Sequence, residues 1–407
     1  MRQGNISLLS GLLVSGVCLV LLVFPGCMPE CISGTTDMID PVEYGIDDSS
    51  YEAMRATTPT HVRENIGTAI FIDADVVMPE QASTAILNAE PIRFDLYADK
   101  LAEAFPRLEG VSLVSQTYSD SRWRNMEVEP FVSSDNAWGG LGAGVDSLVY
   151  FEPDETFLKG LYETASSDMP YVDSSAILAE GELAGFSADA AIGQVLELLE
   201  TVGIDGAASV KAYPLSLDVL YALRDRYVEL FAEGFEGPQF EEGGEFAQDR
   251  KNFEAISKAA YDSDDEMYVV HLQFEVNGIP LAASAPGARY NMSADIDALT
   301  PCCLRAYVGR QGIRHVNLMG GYQAGTVFRD ECETLLPLDA AINVLQQRYG
   351  AVAAATLSNV DRIALEYCPL VDGENETGIV LVPSWTFRNA DDPDYAIRVS
   401  ALTGEVV

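Results

Sequence analysis

Two stretches of the chain begin alike: Ser187-Ala188-Asp189-Ala190-Ala191-Ile192 and Pro337-Leu338-Asp339-Ala340-Ala341-Ile342. The first predicts a helix over 188–202, with Ser187 as N-cap, Asp189 in the favourable first turn and Gly203 past its end. Ala188, Ala191, Ile192, Val195 and Val202 form its apolar stripe. The second predicts a helix over 339–349, with Leu338, Ala341, Ile342, Leu345 and Tyr349 on one face and Gly350 beyond. Such a stripe must cover another element, because burying a side chain like Ile192 stabilises by roughly 1.5–3 kcal/mol. Strand-like runs follow each helix: 267–275, 304–308 and 313–319 after the first, then 360–367, 379–387 and 395–402 after the second. The expected fold class is α+β, with antiparallel sheets covered by helices and helix-then-sheet units in the C-terminal half. The similar helix starts point to a duplicated unit.

The rest of the chain is read the same way. Alternation in Ala69–Met78 puts Ile70, Ile72, Ala74, Val76 and Met78 on one face of a strand, with Phe71, Asp73 and Asp75 on the other. A second strand is expected at 84–94, then a helix at 95–105 carrying Tyr97, Leu101, Ala104 and Phe105 on one side. Strand-like pieces surround Trp123 and 148–151. A helix over 217–232, capped by Ser216, turns Leu220, Leu223, Tyr227, Leu230 and Phe231 inward, and 251–261 reads as a further helix. Residues 233–250, rich in Gly and Glu, read as a loop. Asn277-Gly278 is a hairpin signal, and Thr403-Gly404-Glu405 is a closing turn before Val406.

The leader sets the expected address. Arg2 is the only charge before Glu30, and the chain from Ile6 to Phe24 is apolar or small. A positive start and an apolar stretch make an export signal. It ends at Phe24-Pro25-Gly26-Cys27, where a small residue before Cys resembles a bacterial lipobox. Cys27 is therefore the expected lipidation site, although Phe24 and Pro25 depart from the usual Leu and small residue. A plain transmembrane anchor, at about 18 apolar residues, and free secretion are the alternatives. The expected organisation is a signal peptide over 1–26, a flexible tether over 27–66, an N-terminal α+β domain over 67–185, a helix-plus-sheet domain over 186–335 and a C-terminal unit over 336–407. Order is expected from about Gly67, with His61 in the tether.

Composition narrows the function. The net charge of −39 disfavours nucleic acid and anionic membrane surfaces, which select basic patches. Only His61, His271 and His315 occur, without HExxH or a close His/carboxylate pair, and the two later ones read as strand residues. No GxSxG elbow or Ser-x-x-Lys is present. The run Gly139–Gly144 lacks a GK[ST] ending and reads as a flexible loop. Beyond Cys18 and Cys27, the thiols are Cys31, Cys302, Cys303, Cys332 and Cys368; a bridge from Cys302 or Cys303 to Cys332 is one pairing, and the spacing suits no zinc site. Asp262–Glu266 and Asp372–Glu376 offer oxygen ligands for calcium without the glycine and closing Glu of an EF-hand, and read as solvated loops. Trp385 reads as a core residue of a central strand. No catalytic residue, metal or cofactor is expected.

The last 70 or so positions resemble a PepSY-like unit: an Asp-Ala-Ala-Ile helix followed by a three-stranded sheet ending in Ile397-Arg398-Val399-Ser400-Ala401-Leu402-Thr403-Gly404-Glu405-Val406. With Val382-Pro383-Ser384-Trp385-Thr386-Phe387 before it, the pattern looks like the extracytoplasmic YycH/YycI-type regulatory proteins and a family of uncharacterised lipoproteins of Gram-positive bacteria. The resemblance implies no enzyme activity. It implies contact with an envelope or membrane protein partner, and PepSY units are linked to inhibition of secreted peptidases. The lipobox-like leader departs from the regulators' transmembrane helix. The expected function is thus a non-catalytic, protein-binding lipoprotein on the extracytoplasmic face of the cell membrane. The alternatives are a secreted hydrolase with a carboxylate site assembled in space, and a cation- or cell-wall-binding module.

Overall fold

The computed structural model describes residues 51–80, 85–105, 108, 111–119, 129–134, 140–152, 179, 181–204, 207–231, 239, 244, 247–282, 303–329, 334–351, 358–371, 379–390 and 396–407. All belong to one compact unit, Ile39–Val407. In chain order the elements are α1 (Tyr51–Thr57), β1 (His61–Ile66), β2 (Ile70–Val77), β3 (Ile86–Pro91), α2 (Ala98–Ala104), β4 (Leu113–Tyr118), β5 (Glu129–Ser134), β6 (Gly140–Ala143) and β7 (Leu148–Phe151). There follow α3 (Ala188–Thr201), β8 (Ala207–Leu215), α4 (Leu217–Phe231), α5 (Ala247–Ser257), β9 (Met267–Val276), β10 (Ile279–Pro280), β11 (Cys303–Gly309), β12 (Gly312–Met319) and β13 (Tyr322–Arg329). Last come α6 (Leu338–Tyr349), β14 (Ser358–Val371), β15 (Ile379–Asn389) and β16 (Ala396–Ser400). The fold class is α+β, as the sequence implied. No described helix is long and apolar enough to cross a membrane.

The strands form two sheets. One runs β1-β2-β14-β15-β3-β13. Its long strand β15 pairs with β14 along one edge; on the other, Ile379–Leu381 pairs with β3 and Ser384–Arg388 with β16. The second runs β8-β9-β11-β12-β7-β6-β5-β4, with β10 added to β9. Among the described strands only β2 and β14 form a parallel ladder.

Both expected helix-then-sheet units are present. α6 precedes the antiparallel meander β14-β15-β16, and α3 precedes β8-β9-β11, with α4 and α5 inserted between β8 and β9. Ser187 caps α3 as expected, its hydroxyl accepting from Ala190 N at 3.2 Å, and Gly203 takes the left-handed conformation past its end. Ala191, Val195, Leu198, Leu199 and Val202 are the buried residues of this segment, while Ile192 packs at the edge of the stripe. α6 buries Ala341, Ile342 and Leu345 against Ile363, Leu365, Trp385 and Phe387, and Met54 of α1 joins the same core. The second sheet is covered on both faces. Tyr268, Val270 and Leu272 of β9 meet α3, while Met267 and Val269, alternating with them, meet Leu220 and Leu223 of α4. Asn277 and Gly278 both have positive φ, 53° and 77°, so the expected β9–β10 turn forms.

Several expectations are corrected. The segment read as tether is ordered from Tyr51 onward, as α1 and β1. β1 pairs with Ile70–Asp75 of β2 as an antiparallel hairpin, a pairing that residues 61–66 do not announce by periodicity. Segments 67–185 and 336–407 are not separate sheets, since β2 and β3 pair with β14 and β15. Gly140–Ala143, read as a flexible loop, is strand β6. Its Gly142 lies beneath Phe131, where a Cβ would approach the ring to 2.9 Å, so the glycine permits packing rather than mobility. The pieces around Trp123 and most of the loop at 233–250 lie outside the described residues.

Candidate functional site

The residues singled out from sequence do not converge. Cys27, Cys31, Cys302, Cys332 and the run Asp372–Glu376 lie outside the described residues. The run Asp262–Glu266 forms a turn that uses its own carboxylates. Asp262 N donates to Asp265 Oδ2 at 2.9 Å, Asp264 N to Asp262 Oδ1 at 2.8 Å, and Glu266 pairs with Arg310 at 3.1 Å. Glu266 also accepts from Leu217 N at 3.3 Å, at the positive end of α4. Trp385 is fully buried and donates Nε1–H to Leu336 O at 2.8 Å, as a core residue should. Among the described residues no group of three or more His, Cys, Asp or Glu could hold a metal.

His61 departs most from its sequence reading. It stands at the start of edge strand β1, its Nε2 2.9 Å from Asp73 and its Nδ1 2.9 Å from Asp75. Asp73 and Asp75 project from the polar face of β2, as its alternation predicted. The hydrogen bonds to Asp75 and then Asp73 raise the His61 pKa above the ordinary imidazole range. Carboxylates at both ring nitrogens favour the imidazolium form, in which both nitrogens donate.

A polar seam emerges on the face of the first sheet opposite α6. Strand alternation turns Ile363, Leu365, Trp385, Phe387, Ile397 and Val399 toward the helix. It turns Arg362, Glu366, Ser384, Thr386, Arg388, Arg398 and Ser400 away. The ladders align them: Arg362 opposite Arg388, Glu366 opposite Ser384, Ser384 opposite Ser400 and Thr386 opposite Arg398. This face is nonetheless inaccessible at its centre, with Glu366, Ser384, Thr386 and Ser400 all buried.

Such burial requires partners. Facing guanidinium groups repel, and here each has a carboxylate. Arg388 donates through Nε and Nη2 to both oxygens of Asp361, at 3.0 and 2.8 Å. Asp361 is the extra residue of a bulge between Val360 and Arg362. Arg362 Nη1 donates to Glu366 Oε1 at 3.1 Å. The same oxygen accepts from Gln273 Nε2 at 3.1 Å, and Gln273 belongs to β9 of the other sheet. Gln273 also donates to Leu281 O at 2.8 Å, and Leu281 forms a bridge with Tyr367 of β14.

The corresponding face of the second sheet continues this chemistry. Lys211, His271, Arg305 and Asn317 stand in one row across β8, β9, β11 and β12. His271 and Arg305 are buried. In each unit, then, the third strand of the meander carries an arginine opposite a polar residue of the second: Arg305 opposite His271, and Arg398 opposite Thr386.

The seam's thiol is not an activated nucleophile. Cys368 is buried, and burial pushes its pKa up; Arg398 opposes that shift and Glu366 adds to it. A buried, protonated thiol is inert. The sequence suggested Cys368 only as one of five remaining cysteines. It gave no sign of the polar row, because Arg362, Glu366, Thr386 and Arg398 look like the solvated side of ordinary amphipathic strands.

No protein-family model matches the chain, and no curated protein matches it. A solved structure of an uncharacterized protein from Eubacterium rectale is similar in fold, with a TM-score of 0.53 over 88% of this chain and 99% of that one, at 14% sequence identity. At that identity the likeness speaks for the architecture alone.

Proposed function

We propose that the chain is a membrane-anchored extracytoplasmic lipoprotein, acting as a non-catalytic protein-binding or regulatory module of the cell envelope in the manner of the PepSY-like proteins it resembles. The leader carries this reading: one positive residue, an uncharged apolar run and Gly26-Cys27 at its end. The order α6, β14, β15, β16 supports the resemblance, since a helix backed by a three-stranded antiparallel meander is the arrangement it implies.

The test is metabolic labelling with a fatty-acid analogue in a bacterial host. The wild type should take up label and fractionate with membranes. Cys27→Ala should lose the label and accumulate as leader-bearing precursor. Label retained in the variant would overturn the anchor. Crosslinking the full chain in intact cells should recover one recurrent membrane or envelope protein; recovery of the chain by itself would count against a binding role.

A further inference from the structure

We propose that Arg398 and Thr386 form a receptor for a monoanionic carboxylate. The two are directly opposed on β16 and β15, on the sheet face turned from α6. Thr386 is 6% exposed, and its Oγ1 has no hydrogen-bond partner among the described residues. Arg398 Nε is likewise buried without an acceptor, and among the described residues the Arg398 side chain makes no ion pair or hydrogen bond. Two adjacent donors left unmade are costly, because a buried polar group that loses its partner forfeits roughly 1–3 kcal/mol, and more if charged. A carboxylate seated here accepts from the guanidinium and from the Thr386 hydroxyl together.

The surroundings select the charge of the ligand. Arg362 and Arg388, in the next row, are already matched by Glu366 and Asp361. Of these three guanidinium groups, that of Arg398 alone lacks a carboxylate partner among the described residues, which leaves one positive charge. A dianionic phosphate would over-compensate it, whereas one carboxylate closes the balance. Beside Thr386, β14 presents Ala364, whose small side chain leaves the row low at that point. The Cys368 thiol stays protonated nearby and adds no negative charge. Both orphan donors are closed to water, so the face must open for entry and association should be slower than diffusion allows. The inference stands apart from the anchoring reading, since it needs neither export nor lipid.

The probes are acetate, inorganic phosphate, and a tripeptide with either a free or an amidated C-terminus, titrated into the full chain by calorimetry and by NMR of the arginine Nε–H signals. Saturable acetate binding that shifts one such signal is expected. Thr386→Val and Arg398→Met should each weaken it at least about tenfold, as removal of a charge-assisted hydrogen bond does. Tighter binding of the free tripeptide than of acetate, lost on amidation, would assign the carboxylate to a peptide end. Equal or weaker tripeptide binding would assign it to a small free acid. Binding unchanged in both variants, preference for phosphate, or no saturable binding of acetate or tripeptide overturns the proposal. A stability measurement separates a packing role. Without carboxylate, Arg398→Met should melt at the wild-type temperature or above, because it removes a half-buried charge that has no carboxylate partner among the described residues. A clear fall in melting temperature would mark the arginine as structural and overturn the proposal.

Discussion

Gln273 and Glu366 meet at 3.1 Å across the junction of the two sheets, the amide nitrogen donating to a carboxylate that is 1% exposed. Glu366 depends on this contact and on Arg362 for its charge to be tolerable at that depth. Gln273→Ala should therefore destabilise by about 1–3 kcal/mol. A double-mutant cycle with Glu366→Gln should give a coupling of at least about 0.5 kcal/mol by urea denaturation. Strict additivity would show that the contact does not join the sheets energetically.

His61 predicts a pH dependence whose sign follows from its neighbours. Asp75 and Asp73 raise its folded pKa above that of the unfolded chain. Its contribution is fully present below the unfolded value and disappears as pH rises through the folded one. An NMR titration should place the His61 transition above the ordinary imidazole value, and Asp75→Asn with Asp73→Asn should bring it back. An unshifted transition in the wild type would refute the geometry.

Cys368 should resist alkylation in the native state. Its thiol is buried, and burial favours the protonated form. Iodoacetamide followed by peptide mapping should label Cys368 only after denaturant is added. Rapid native labelling would mean that the strand opens far more often than a sheet centre should.

Trp385 anchors the C-terminal unit to the turn before α6 through Leu336 O. Trp385→Ala should cost about 3–5 kcal/mol from the cavity it leaves. Trp385→Phe should cost about 1–3 kcal/mol, mostly from the orphaned carbonyl. Thermal or urea unfolding checks both, and a neutral phenylalanine variant would show that Leu336 O finds another donor.

What sequence reveals here depends on whether a signal is local. The helix of α3 was legible because Ser187 and Gly203 mark its ends, and the Asn277-Gly278 turn because few residue pairs accept two positive φ angles. The strands of the last unit were legible because β14, β15 and β16 carry dense apolar runs. By contrast, β1 has only Ile66 fully buried and gains its place from β2. The polar seam was invisible for a related reason. Arg362 and Glu366 alternate with Ile363 and Leu365 just as surface residues would, yet Glu366 is interior and meets Gln273 of another sheet. Which stripe of α3 lies deepest was also partly misjudged: Leu198 and Leu199 are buried and Ile192 is marginal, so Val195→Asp is the sharper probe of that face.

Pairing of Ile70 with Ser358 leaves the first strands waiting for the last. Until residues from Ser358 onward are in hand, β2 has β1 on one side and a bare row of amides and carbonyls on the other. Closing so distant a contact is entropically slow, so assembly of this sheet should lag well behind that of its helices. A chain shortened before β14 would expose an open strand edge, and its expected fate is self-association rather than a smaller stable fold.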